Sequence, residues 1–542
     1  MALSLLGNTE CGLSQSVLRQ LYQSCITTVA DFGAEVWWNQ QKTQSKPLQR
    51  LQNQAMRKIA GAFKTTPIAA LEAELGLPPA DLRLDRIQRA YATRLLTLPE
   101  NHPVLELCPD TFPKTLDNER ESGVPGKFTP WYEINPSKPR YESRLTRILS
   151  YTNTILQPQS IVEEIDVTAD APWDATNNID IQIHPGNKDI AAQQHRDKHF
   201  VTHANAAHLC IYTDGSLLEG RTGAGIHASV ADETIHESSY YLGTEAEVFD
   251  AELYGIMKAT EIATKLSTDE TFTDIWIFCD NQSAVRRMKD KRPLPGQEYV
   301  LKTHRNAEIL TSRGIKTHIH WVPGHVSVKG NERADTLAKE GTKGKRLPRD
   351  ATTSITYLKR KIKEEQLTTW NARWPSTKRG HSYHGWLATN IHPLLQNHPS
   401  RKLVSTVIQM RTGHGYNRQY LARIPSSAIE SPTWPCGYRK QSPRHLLLDC
   451  KYYKTQRRRM KQKIKPLPLT WHTAMHTGKG HQVVLEFLET MGVGSRSWIL
   501  GPKKDLVGRF GWSHIRDDGA REAEEDEEES GREIDAAEAA GV

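Results

Sequence analysis

Cysteine is scarce in this chain, with 7 in 542 residues, an odd number spread along its length. That argues against a disulfide-stapled scaffold and predicts reduced thiols. No run of about eighteen apolar residues exists to cross a bilayer as a helix, so no membrane association is expected. The opening stretch, MALSLLGNTECG, has neither the basic n-region nor the apolar length of a secretory signal, and the protein is expected to be intracellular. A Gly-x-x-x-x-Gly-Lys-Ser/Thr loop is also missing, which removes support for nucleotide hydrolysis on a phosphate-cradling loop.

Hydrophobic residues make up 37% and the mean hydropathy is -0.60, enough apolar material for cores but with much solvated chain besides. At this length two or three domains are expected. The net charge of +8 understates the basic character: from Asp517 onward twelve acidic residues face only Arg521 and Arg532, leaving +18 on residues 1 to 516. Such a body attracts polyanions. Residues 513–542, with the run EAEEDEEES, are expected to be a disordered acidic tail.

Residues 1–100 read as helical, with Leu48, Leu51, Ala55 and Ile59 at helical spacing. Between 101 and 204 prolines at 103, 109, 113, 125, 130, 136 and 139 interrupt any period, and this segment reads as a linker. From 205 to 343 strands and helices alternate. LCIYT and IWIFC are apolar on both faces, as strands inside a sheet are; AGIHASV, HESSYYLG and KTHIHWVP complete a set of five, with EAEVFDAELYGIMKATEIATKL as a helix among them. The pattern predicts an α/β domain. Residues 350–512 return to basic helical segments.

Four carboxylates in the α/β segment stand in places that ask for an explanation. Asp214 follows directly on LCIYT and Asp280 on IWIFC, at strand ends where sites gather in open α/β sheets. The competing readings are a turn at Asp214-Gly215 and a turn or helix cap at Asp280-Asn281. Glu252 falls on the stripe formed by Val248, Gly255, Ala259, Ile262 and Leu266, with no Lys or Arg three or four residues away. A buried carboxylate there needs a partner or stays protonated. Asp335 lies beside the face of Ala334, Leu337 and Ala338 in a helix that Asn331 is placed to cap, where it could simply complement the helix N-terminus. Bringing the four together would be repulsive unless cations held them. Two divalent ions on carboxylate oxygens are a recurrent solution for phosphodiester cleavage, and oxygen ligands suit Mg²⁺, or Mn²⁺, rather than zinc. His325, after the Pro-Gly of WVPGH, has an unperturbed pKa suited to moving a proton near a leaving group; its alternative is an ordinary loop histidine.

In that order YTDGS, AELYGI, CDNQSA and WVPGHVSVKGNERADTLAKEG resemble the type 1 ribonuclease H family. The resemblance implies a mixed five-stranded sheet with flanking helices and cleavage of the RNA strand of RNA/DNA hybrids, leaving 5'-phosphate and 3'-hydroxyl ends. It implies Asp214, Glu252, Asp280 and Asp335 as the metal-holding tetrad, His325 as the auxiliary histidine, and Gly215, Ser216, Asn281 and Ser283 along the substrate backbone. Hybrid specificity would come from groove shape and 2'-hydroxyls. The rival readings are a catalytically decayed nucleic-acid-binding protein and a DNA-cutting nuclease of the same broad fold.

The flanks, including LQRLQNQAMRKIAGAFKTTPIAALEAELGLPP and QMRTGHGYNRQYLARI, resemble the regions after the polymerase palm in fungal LINE-type retrotransposon polyproteins. No Tyr-x-Asp-Asp occurs, so reverse transcription is not expected and the chain reads as a truncated retroelement fragment. The terminal knuckle of that family is matched only by Cys436, His445 and Cys450, with Trp434 where a further Cys is usual. Three ligands fall short of the four a structural zinc wants, which disfavours zinc. The following KYYKTQRRRMKQKIK has eight basic residues, no acidic ones and two tyrosines. It reads as a nucleic-acid grip, a nuclear address or a solvated helix.

Overall fold

A computed structural model of the chain describes residues 12–99, 102–106, 161–169, 178–183, 188–202, 205–268, 272–324, 328–373, 400–425 and 429–500, together with Leu6, Val326, His398 and Ser427. The acidic tail and most of the segment between 101 and 204 lie outside the described residues.

The N-terminal region is helical as expected, in α1 (Gln15–Leu21), α2 (Lys42–Ala60), α3 (Ile68–Leu75) and α4 (Ala80–Leu96). The buried stripe of α2 differs from the one expected. Gln52, Ala55, Met56 and Ile59 are buried, whereas Leu51 is exposed. The helix is rotated so that Gln52 can donate to the Pro78 carbonyl (2.8 Å) and Met56 can fill the core beneath α3.

The sheet runs β1-β6-β5-β2-β3-β4. β2 (His208–Leu218), β3 (Arg221–Val230) and β4 (Glu233–Gly243) form an antiparallel meander, and β5 (Asp274–Cys279) and β6 (Lys316–Trp321) extend it in parallel. Five strands were expected, and among the described residues the sheet has six. β1 (Ile179–Gln182), from the segment read as linker, pairs in parallel with β6. Four residues are too short to stand out as a period, and β1 takes its order from β6 rather than from its own pattern. It is followed by α5 (Lys188–Thr202).

One face of the sheet buries Leu209, Ile211, Ile226, Ile275, Ile277 and Ile319 against α6 (Val248–Leu266) and α8 (Gln297–Ser312), with α7 (Gln282–Arg287) between them in the chain. On the other face Tyr212 and Phe278 meet Val322, Val328 and Ala334, the last from α9 (Lys329–Gly341). Glycine makes that second layer thin. A Cβ on Gly225 would sit 2.2 Å from the Ala334 carbonyl oxygen, and one on Gly223 2.5 Å from that of Ala338, so α9 rests directly on the backbone of β3.

Beyond the sheet lie α10 (Ile355–Arg373), α11 (Arg401–Thr412), α12 (Lys454–Lys463) and α13 (Gly478–Met491). The N- and C-terminal helical regions share a core, because Val404 and Ile408 of α11 pack with Leu18, Met56, Ile59 and Leu71. At this junction Glu74 of α3 and Arg411 of α11 form an ion pair (2.9 Å), each side chain only 1% exposed. Removing one partner leaves a buried charge, so Glu74→Ala should cost about 3–5 kcal/mol. Denaturant titration of the full chain would measure it, and a loss below 1 kcal/mol would mean that water reaches Arg411.

Candidate active site

β2 and β5 run in parallel with Thr213 opposite Cys279, so Asp214 and Asp280 leave the paired register side by side. Asp214-Gly215 is not a turn. β2 continues through it to Leu218, and the chain reverses at Glu219 and Gly220, with φ of 52° and 76°. What Gly215 provides is closeness: a Cβ there would lie 3.0 Å from the Glu252 amide nitrogen, the Val248 carbonyl oxygen and the Ala251 Cβ. Gly255 faces Thr213 in the same way, at 3.2 Å. The two glycines let α6 lie low on β2 and set Glu252 against Asp214.

The carboxylates of Asp214, Glu252 and Asp280 offer ligand atoms that all lie within 4.8 Å of one another. Asp214 is 7% exposed and Glu252 3%. Burial, reinforced by Asp280 and Asp335, pushes the Asp214 carboxyl up to about 8, although the Gly215 amide works in the opposite direction. Glu252 is raised well above the usual carboxylate range, first by burial and then by Asp214 and Asp280. The Cys279 thiol reaches toward Glu252 Oε2 (3.5 Å). Lys339 pairs with Asp335 (2.6 Å), leaving Asp214 and Glu252 without an ion pair among the described residues. The all-oxygen set of Asp214, Glu252 and Asp280, its first two carboxylates buried, fits divalent ions of the Mg²⁺ type.

Asp335 joins the trio from the rim, within hydrogen-bonding reach of Asp214. Its helix begins earlier than expected. Val328 is the N-cap of α9, so Asn331 does not cap it and Asp335 falls on the second turn rather than the first. The Asn331 side chain is turned inward instead, and its Nδ2 donates to Asp280 Oδ2 (3.3 Å). Gly324 passes over the same carboxylate: a Cβ there would meet Asp280 Oδ2 at 2.3 Å. Trp321 donates from Nε1 to the Asp280 carbonyl (2.8 Å). Asn331, Gly324, Trp321 and Cys279 are not among the residues expected at the site. Gly324 and Trp321 lie within the WVPGH motif itself, whereas only the packing of α9 reveals Asn331. His325 lies outside the described residues.

The other expected residues fall as follows. Asn281 caps α7, its side-chain oxygen accepting from the amides of Ser283 (3.0 Å) and Ala284 (3.2 Å), and Gly215 and Ser216 sit half-buried on β2 just past Asp214. Cys436, His445 and Cys450 do come together, buried, with Cys436 Sγ 3.3 Å from His445 Nε2. Trp434 packs on Trp498 (5.2 Å), and no fourth His, Cys, Asp or Glu belongs to the cluster among the described residues. Of the two tyrosines expected to be free for stacking, Tyr452 is exposed, but Tyr453 is buried edge-on against Phe487 (5.5 Å). Along α12 only Arg457 and Met460 are buried, so its other basic side chains face solvent.

The raised Asp214 carboxyl gives a pH dependence of definite sign. A carboxyl whose folded value lies above its unfolded one takes up protons on folding. Its stabilisation is therefore complete below pH ~4 and lost as pH rises toward the folded value, here about 8. Without divalent ions the melting temperature should fall between pH 5 and 8 in wild type and less in Asp214→Asn. Mg²⁺ should raise it more at pH 8 than at pH 5, and equal increments would remove proton displacement from the account.

Residues 206–343 match the RNase H family model, and this segment is an RNase H domain. No curated protein matches the chain. Among solved structures, LC11-RNase H1, recovered from compost by a metagenomic approach and crystallised with an RNA/DNA hybrid, is 26% identical, covering 25% of this chain and 96% of its own (TM-score 0.22). RNase H1 from the halophilic archaeon Halobacterium salinarum is 24% identical over 25% of this chain and 98% of its own (TM-score 0.20). The prototype foamy virus protease-reverse transcriptase is 20% identical over 27% of this chain and 22% of its own (TM-score 0.21). Among the described residues no helix is long and apolar enough to cross a membrane.

Proposed function

We propose that the chain hydrolyses the RNA strand of RNA/DNA hybrids with two divalent ions, Mg²⁺ or Mn²⁺, within a protein of retroelement origin. The observation that carries this reading is the convergence of buried Asp214 and Glu252 with half-buried Asp280, and Asp335 at the rim, inside a segment that matches the RNase H family. These four carboxylates would hold the ions. Bound there, such ions supply Lewis-acid activation of water and of the departing 3' oxygen.

The protein's own contribution is positional. Asn331 and Gly324 fix the rotamer of Asp280, the first by a hydrogen bond and the second by close approach. The Gly215 amide steadies the ionised forms of Asp214 and Glu252. Water adds to phosphorus, the bond from phosphorus to the 3' oxygen breaks, and His325 moves a proton at that oxygen. Gly215, Ser216, Asn281 and Ser283 line the path of the substrate backbone, and the exposed basic face of α12 adds sequence-independent affinity for phosphates.

The test is cleavage of a labelled hybrid by the full chain with and without Mg²⁺, beside DNA duplex, RNA duplex and Asp280→Asn. Mg²⁺-dependent cutting of the hybrid alone, lost in Asp280→Asn, is the expected result. Tight binding with no cutting would favour the decayed binding protein, and cutting of duplex DNA the DNA-directed nuclease. His325→Ala should slow turnover by about 10²–10⁴-fold, the usual contribution of general acid-base catalysis, and an unchanged rate would return His325 to an ordinary loop residue.

A further inference from the structure

A second group of metal-ligating side chains lies on the sheet edge, away from the four acids. β6 carries His318 and His320 two residues apart, hence on one face. Asp180 of β1 is directly opposite His318 in the parallel register. One carboxylate oxygen, Asp180 Oδ2, lies 3.1 Å from His318 Nδ1, 3.0 Å from His320 Nε2 and 3.0 Å from Gln182 Nε2, which also donates to Oδ1 (3.2 Å). The far nitrogen of His318 is 3.0 Å from Asp274 Oδ1. His208 Nε2 is 3.5 Å from the other oxygen of Asp274. Trp276 stacks on His318 at 3.9 Å with the rings 9° from parallel, fixing the imidazole's plane.

A neutral His318 would be one proton short in this arrangement. A neutral imidazole has one N–H, yet His318 faces a carboxylate at each ring nitrogen. If Nε2–H donates to Asp274, the Nδ1 lone pair points at Asp180 Oδ2, and acceptor meets acceptor. His320 Nε2 converges on that same oxygen. A cation among the three atoms resolves the conflict. The pattern of a histidine directed at a shared centre through one nitrogen, with the other nitrogen held by a carboxylate, is the usual support of a metal ligand.

We propose that Asp180 Oδ2, His318 Nδ1 and His320 Nε2 bind one divalent transition-metal ion of the zinc class, which ties β1 to the edge of the sheet. The three ligand atoms lie within 4.8 Å of one another. Ligands at about 2.0–2.1 Å in tetrahedral array are roughly 3.3 Å apart, so the present nitrogen-to-oxygen spacings need open only by tenths of an ångström. Two imidazoles and one carboxylate favour zinc, cobalt or nickel over Mg²⁺. With Asp180 at the exposed side of the cluster, water completes the shell. Asp274 is a positioning residue, acting through His318. The site joins residues 179–182, outside the family match, to a strand inside it. It stands independently of the nuclease reading.

The experiment is titration of the full chain with Zn²⁺ in saturating Mg²⁺, which keeps the four acids occupied, with bound equivalents counted by elemental analysis. Asp180→Asn and His320→Gln should each bind one equivalent fewer than wild type. Any zinc on Cys436, His445 and Cys450 cancels in that difference. Asp274→Asn should keep the equivalent but weaken it by about 10–100-fold. Identical stoichiometry in wild type and both ligand variants would overturn the proposal and leave a proton as the shared cation. Should either variant misfold by circular dichroism, Co²⁺ added to wild type decides: paramagnetically shifted imidazole resonances from His318 and His320 support the site, and their absence rejects it.

Discussion

Asp214→Asn should abolish cleavage of an RNA/DNA hybrid while making the ion-free protein more stable at pH 8. The two effects share one cause. Asp214 is held among Glu252, Asp280 and Asp335, buried, with its carboxyl pushed up to about 8. Asparagine keeps the shape but removes the charge, which relieves the repulsion and takes away a ligand. Metal-derived stabilisation of a phosphoryl transition state is worth several kcal/mol, so the loss in rate should be on the order of 10³-fold or more. Cleavage assays and thermal melts on the same preparations measure both. Lost activity with a lower melting temperature would mean that Asp214 was a structural residue, and retained activity would remove it from the site.

The second large effect concerns folding. Gly225→Ala places a methyl 2.2 Å from the Ala334 carbonyl oxygen and 2.3 Å from the Ala338 amide nitrogen, both backbone atoms of α9 that cannot rotate away. Either the helix lifts off β3 or the strand bends. Overpacking of this kind costs about 1–3 kcal/mol, occasionally more, and each kcal/mol is roughly 4 °C in a domain of this size. Because α9 carries both Asp335 and Asn331, cleavage should fall along with stability. A melting temperature unchanged within 2 °C would show that α9 can lift from β3 at no cost in stability.

Much of the domain was readable beforehand, for identifiable reasons. LCIYT and IWIFC are apolar on both faces because helices cover both sides of β2 and β5, and a carboxylate directly after each stood out against that background. Glu252 was conspicuous as a charge on the buried stripe of a helix. By contrast Asp214-Gly215 looked like a turn, since Asp-Gly commonly is one, and nothing local reveals that the glycine faces an incoming helix. Asn331 looked like a cap for the same reason: its type suits a helix end, and only the tertiary contact with Asp280 gives its side chain another occupation. Leu51 and Met56 exchanged places in the expected stripe of α2 because the partner helix, not the period, sets the rotation.

β1 is the clearest limit. IDIQ has alternation enough for a strand but not length enough to declare one, and its pairing with β6 is a long-range event. The shared core of the N- and C-terminal helices is likewise invisible along the chain, because α1 and α11 are separated by the whole RNase H domain. By itself the sequence determined which residues have the chemistry: four acids spaced over about 120 positions, a basic body and an α/β alternation, since residue type and period are local properties. Only the tertiary structure decided which of them meet, because distance across a sheet depends on register and on how closely a helix can approach. Here glycines at 215, 223, 225 and 255 set that approach.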